Sequence, residues 1–563
     1  MPAENGNGTP ESGGSSTPDG PDDWVAQIHN AKSARRSKKW IGASVAAGGT
    51  TLVNLMSGGG SQPEDVLPAT AVAFVKLDLD PSAGQKLAAY QLSGKFPKVK
   101  SKVSGEETSI KESIFGTLFT GDTKKGALSM GLNYKTDVEP WLGDRVGVGV
   151  FPDLDADKQP EVGIAIAFTD QGAAKAALDK AIAHQTIAHK TIAHKTIAPK
   201  SKTKPEMGYA FAEDFVVVSD TTAHAAALVG AGKTASLAGS TYGEDVKKLG
   251  EDQVAVAWVD MERTFKAVKA ALPKEEMQGL VKVDESKLGG RIVEGLHLDA
   301  SYVELTAMGV DVKGDAVVNT DVGADAGLIE SFPSGVLAAF TGNGFGKSLG
   351  AAYTSITKPE GDAKSKATTS KVNARLDSLG IKSPTHQCTC AIRSMFRSLG
   401  LDSAKKIENL LGSETGVMVA GDNLRKPQVA IQTRGSNPDA AVAAARKALA
   451  RIPVPGGLQI RKVAAPPGVF IGTPATGRGF NLVKETFNAS GKKLGGDEAF
   501  RQVIPPDQKA SFAAYVNLSN VLPLLAKTPD SDLDMATLRP FKALGFTATG
   551  GTDPTVRLRV SFK

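Results

Sequence analysis

The sequence predicts an α+β fold: two tandem, weakly similar units of mainly antiparallel sheet with packed helices, after a disordered N-terminus and one membrane helix. Three observations carry this reading. A strand–hairpin–strand–helix block occurs twice, as GDRVGVGVFPDLDADKQPEVGIAIAFTDQGAAKAAL over 143–178 and as SETGVMVAGDNLRKPQVAIQTRGSNPDAAVAAARKAL over 413–449. Both strands of each copy alternate, and a capped, alanine-rich helix follows. Ahead of them a basic cluster, a Trp and an uncharged run stand in the order of a membrane anchor.

At 563 residues the chain has room for two or three domains with full cores. It is 41% hydrophobic and 22% charged, and 61 glycines against 6% aromatic residues predict cores in which small side chains face small side chains. A net charge of +6 over this length falls far short of a nucleic-acid footprint, so no nucleic-acid partner is expected. The only cysteines, Cys388 and Cys390, give no disulfide framework.

Residues 1–39 read as a disordered, basic cytoplasmic tail, rich in Gly, Ser and Pro and ending in Lys32, Arg35, Arg36, Lys38 and Lys39. Residues 40–60 read as a single transmembrane anchor, N-terminus inside, although Gly42, Gly48, Gly49, Thr50, Thr51 and Asn54 each lower insertion propensity. The competing reading is a soluble linker with a basic patch. A cleavable signal peptide is not expected, and the absence of a following cysteine excludes a bacterial lipid anchor.

The first unit spans 61–325 and the second 326–563. In the first, 66–81 ends as a strand with Val75, Leu77 and Leu79 on one face, and QKLAAYQL follows as a helix. The first long block puts Val146, Val148 and Val150, then Val162, Ile164, Ile166 and Phe168, on one face. Gly147, Gly149, Gly163, Ala165 and Ala167 make the other face nearly bare backbone. A helix, a sheet or a flat ligand must pack there, so these five residues are the candidate groove. Thr169 or Asp170 caps the next helix. A hairpin turns at Glu213-Asp214, 252–268 reads strand then helix, and 305–322 reads as a hairpin about Lys313-Gly314-Asp315.

The same order then repeats. FPSGVLAAF matches LPATAVAF, and the second block follows with Ser436 or Asn437 as cap and Pro438 in the first turn. PPGVFIG matches EDFVVVS, and DQKASFAAYVNLS matches DQVAVAWVDMERT, with Tyr515 for Trp258 and Asn517 for Asp260. A last hairpin closes the chain. Five matches in one order indicate an internal repeat. Whether the halves share one sheet is left open.

The Leu-Pro-Ala-x-x-x-x-Phe strand leading into LDLDPSAGQKL, followed by WLGDRVGVGVFP, resembles an uncharacterised actinobacterial family of single-pass, membrane-anchored proteins with a duplicated extracytoplasmic body. The resemblance covers about 60–563. It implies cell-membrane location with the body outside, and offers no catalytic residues. The anchor here is shorter and more polar than the resemblance implies.

Other motifs fall short of a site. TGNGFGKSL (341–349) ends like a phosphate loop in Gly346-Lys347-Ser348, but Thr341 stands where its first glycine belongs. Asp153, Asp155 and Asp157 begin like a calcium loop, yet Lys158 and Ile164 take the Gly and Glu positions. Asp530, Asp532 and Asp534 read as an acidic linker. His184, His189 and His194 recur every five residues, a spacing that gathers them on no regular element. His386, Cys388 and Cys390 lack further soft ligands. Asp78, Asp80 and Asp260 could meet in space, but strand-to-loop carboxylates usually cap helices.

No catalytic residue, metal site or cofactor is predicted. The expectation is a non-enzymatic extracytoplasmic envelope protein binding a lipophilic ligand or an envelope partner, with the membrane itself a partner through 40–60. The alternatives are a hydrolase-like enzyme with a dispersed site between the halves and a purely structural scaffold.

Overall fold

The alternating segments become strands of one antiparallel sheet. The computed structural model describes residues 60–79, 82–96, 111, 132–152, 160–192, 207–250, 252–271, 289–313, 327–357, 397, 400–435, 437–450, 456–475, 479–506, 510–528, 533–551 and 553–563. The first half supplies β1 (Ala73–Asp78), β2 (Leu142–Phe151), β3 (Glu161–Phe168), β4 (Gly208–Ala212), β5 (Phe215–Ser219), β6 (Ala255–Asp260), β7 (Gly289–Leu298) and β8 (Tyr302–Lys313). The second supplies β9 (Ala338–Asn343), β10 (Glu414–Ala420), β11 (Gln428–Arg434), β12 (Gln459–Ala464), β13 (Pro467–Gly472), β14 (Phe512–Val516), β15 (Phe541–Ala548) and β16 (Thr555–Phe562).

These sixteen strands follow one order, β12-β13-β11-β10-β9-β14-β15-β16-β8-β7-β6-β1-β2-β3-β5-β4. Outward from the β8–β16 seam, one side reads β7, β6, β1, β2, β3, β5, β4. The other reads β15, β14, β9, β10, β11, β13, β12, the same order strand for strand. The lead-ins correspond too, since Pro68 bridges Ser236 and Pro333 bridges Lys493.

The seam is an ordinary ladder, with Leu305 opposite Leu558 and Val303 opposite Val560. Glu304 meets Arg559 and, at 4.0 Å, Arg557; the Arg559 guanidinium lies 4.4 Å over the Tyr302 ring. Side chains of one sign on β16 thus find their counter-charge on β8.

One face of the sheet is sealed. In the first half Phe74, Phe151, Trp258 and Val293 pack with Leu228, Val229 and Tyr242. In the second, Met418, Phe470, Tyr515 and Ala543 pack with Leu482, Phe500 and Val503. Helix starts obey local chemistry. Asp170 accepts from Ala173 N at 2.9 Å, Asn437 from Ala440 N at 3.0 Å, and Asp260 from Arg263 N at 2.9 Å.

The fold class is therefore corrected to a mixed α/β fold on a single large antiparallel sheet, with no membrane helix among the described residues. Among the described residues no helix is long and apolar enough to cross a membrane. The 22-residue helix Gln171–Ile192 carries Lys175, Asp179 and Lys180 and is amphipathic. The predicted anchor over 40–60 lies outside the described residues except for Gly60. Single-pass topology, a cytoplasmic N-terminus, an extracytoplasmic body and the membrane as partner do not stand.

Two strand expectations also change. Both edges of β8 are taken, by β7 through Leu296 and Leu305 and by β16 through Leu305 and Leu558. The 314–322 arm of the predicted hairpin lies outside the described residues. The closing hairpin β15–β16 thus corresponds to β7–β8.

Candidate functional site

Residues directly opposite in an antiparallel sheet share a face. One such row crosses all sixteen strands. In the first half it runs from the edge as Phe211, Val216, Ile166 and Val146, then Leu77, Ala255, Leu296 and Leu305. Across the seam it continues as Leu558, Phe546, Ala514 and Phe340, then Val417, Ile431, Ile471 and Ile460. Every member is apolar.

The face carrying this row lies opposite the sealed core, and its cover is uneven. At the first edge Val216, Ile166 and Val146 are buried with Ala174, Leu178 and Ala181 of helix Gln171–Ile192. At the other edge Ile460 and Ile471 pack near Ala441 and Ala445 of helix Pro438–Leu449. Towards the middle the cover thins: Leu305 is 45% and Val75 49% exposed, and Ile292 and Val556 are exposed beside them. Isolated exposed valines need no explanation, but a run of large apolar side chains on one sheet face is a candidate surface for binding.

The small-residue face predicted as a groove is the sealed one. A Cβ on Gly147 would lie 2.6 Å from Pro63 Cβ and 2.9 Å from the Phe74 ring, and on Gly149 2.6 Å from the Phe151 ring. On Gly163 it would lie 2.7 Å from Leu228 Cδ1. Ala165 is fully buried, and Ala167 packs against the same core. These five residues are brought together, and the space over them is filled by the chain's own side chains. The sequence signal that locates the open face is the opposite one: Val75, Val148, Val150 and Val162 on the large-residue side.

Asp78 and Asp260 do not meet. The register sets Ala73 opposite Val259 and Leu77 opposite Ala255, which holds the two carboxylates at opposite ends of the pair, about 20 Å apart at about 3.3 Å per residue. Asp78 lies 3.6 Å from Arg145, Asp260 caps its helix, and Asp80 lies outside the described residues. Gly346 stands in the first turn of helix Phe345–Thr357, where a Cβ would lie 2.7 Å from the Gly412 carbonyl oxygen, so this glycine serves close backbone packing. His184 and His189 lie on helix Gln171–Ile192, and Asp534 caps Met535–Leu538. Asp153, Asp155, Asp157, His194, His386, Cys388, Cys390, Asp530 and Asp532 lie outside the described residues.

A cleft of 260 Å³ lined by Asp260, Glu262, Gly290, Arg291 and Asp311 lies at the other end of β7. Arg291 donates to buried Asp245 at 2.6 Å and to Asp311 at 2.8 Å, which holds its guanidinium above the ordinary range. Among the described residues no group of three or more His, Cys, Asp or Glu is placed to hold a metal ion.

No curated protein matches the chain. The family match that exists gives no support to the actinobacterial, membrane-anchored family resembled in sequence; it speaks neither of that origin nor of an anchor. Over residues 40–449 the chain matches the family described as Protein of unknown function (DUF3352), and it belongs to that family.

Proposed function

We propose that the protein is a non-catalytic binding protein that takes a long-chain lipophilic molecule on the open face of its sheet. The observation that carries this reading is Leu305, 45% exposed at the seam within a row of sixteen apolar side chains. Exposed apolar area costs about 25 cal/mol per Å² relative to burial, so a ligand covering it gains what folding leaves unused. A strip of strands at about 4.8 Å spacing, apolar throughout, suits an extended hydrocarbon chain better than a compact polar metabolite.

The test is titration of the full chain with a fluorescent long-chain fatty-acid analogue. Wild type should bind saturably, and Leu305→Asp and Val556→Asp should each weaken binding at least tenfold while melting within a few degrees of wild type. Saturable binding that both variants leave unchanged would remove the open face as the site.

A further inference from the structure

The helix Ala83–Lys95 is placed to act on that face. It follows β1 and has 13 residues, about 20 Å of helix at about 1.5 Å per residue. The four strand steps from β1 to β16 cover about 19 Å. Its contacts trace this path. Near its start Gln85 Nε2 donates to the carbonyl of Asp252, just ahead of β6, and the helix then packs on β7. At its far end Lys95 Nζ donates to the carbonyl of Lys563, and Phe96 stands edge-on to Phe541 and Phe562, centroids 5.5 Å from each. Phe562 follows the fully buried Ser561 and so shares the open face with Val560 and Leu558. The helix leaves the first half, crosses the seam and is fastened in the second.

The fastening is slight. Ala88 and Leu92 are buried, but Leu87 is exposed and Tyr90 is 69% exposed. No side-chain hydrogen bond caps the N-terminus. At the matching place in the second half, helix Phe345–Thr357 does not repeat the crossing. Its Gly346 and Gly350 lie against Gly412, Glu408 and Ala404, which turns it towards helix Ala404–Leu411 in its own half. Among the described residues, one such strap crosses the seam.

We propose that Ala83–Lys95 is a strap latched by Phe96 between Phe541 and Phe562, and that its release admits the apolar ligand to the seam around Leu305. This rests on the open face being the ligand site. Loss of the two edge-on ring contacts leaves the far end held by the exposed Lys95 alone, while Gln85 keeps the near end at Asp252.

The experiment is stopped-flow uptake of the same fatty-acid analogue by the full chain carrying Cys388→Ser and Cys390→Ser. Phe96→Cys with Phe541→Cys is added and compared before and after linkage by a short bismaleimide. Linkage should slow uptake at least tenfold at an unchanged far-UV spectrum, and Phe96→Ala should speed it severalfold. Uptake by the linked protein at the unlinked rate would overturn the strap alone. If the unlinked protein and wild type take up no probe, the ligand site fails and the strap with it.

Discussion

Trp258 and Tyr515 hold the same place in the two halves of one sheet, Trp258 opposite Phe74 on β1 and Tyr515 opposite Ala339 on β9. Their polar ends are treated differently. Trp258 Nε1 donates to Asp245 Oδ2 at 2.8 Å, an oxygen that also accepts from Arg291 Nε at 2.6 Å. The Tyr515 hydroxyl has no partner among the described residues, and burial pushes it above the ordinary phenol range. Asp245→Ala strands both donors and should cost about 3 kcal/mol. Tyr515→Phe should be neutral or stabilise by up to about 1 kcal/mol. Urea unfolding of the two variants checks the contrast.

Glu304 ties β8 to β16 by neutralising Arg559, with Arg557 at 4.0 Å. Glu304→Ala leaves the largely buried Arg559 without its counter-charge across the seam, and about 2–3 kcal/mol should be lost. Amide exchange should then rise in β8 and β16 before it rises in β3 or β11.

Two glycines should respond in opposite senses to alanine. Gly147→Ala places a methyl 2.6 Å from Pro63 and 2.9 Å from Phe74, and overpacking of this kind costs about 1–3 kcal/mol. Gly230, in helix Thr222–Thr234, has nothing within 4 Å of its would-be Cβ. Gly230→Ala should gain about 0.5–1 kcal/mol. Thermal melts of the two single variants decide it.

Burial pushes the Asp65 carboxyl above its ordinary range, against the hydrogen bond it accepts from Gln62 N. A carboxyl raised on folding takes up a proton, so its contribution is most favourable at low pH. That contribution is lost as pH rises from the ordinary carboxylate value through the folded one. Asp65→Asn lacks this slope. Its stability relative to wild type should improve between about pH 4 and about pH 7; a relative loss over that interval would contradict the assignment.

Much of the fold is legible in the sequence because the signals are local. Alternation gives β1, β2, β3 and β10, the Glu213-Asp214 turn gives β5, and the Asn437 and Asp170 caps announce their helices. β7 is harder to read: its register shifts between Gly289 and Arg291, and Gly290 has φ 107°. The Leu305–Leu558 seam has no local signal at all, because it joins the last strand of each half. The side of the sheet to be sealed is also a long-range outcome. The bare Gly147 face is filled by Phe151 of its own strand and by Pro63, Phe74 and Leu228 from other elements, which leaves the valine face as the more open one.

The most direct measurement is native mass spectrometry of the purified full chain, with the bound species identified after organic extraction. A long-chain lipophile should accompany the protein, rebind after stripping, and be lost in Leu305→Asp. A spectrum at the mass of the chain alone, with no rebinding of any long-chain lipophile to the stripped protein, would contradict the account.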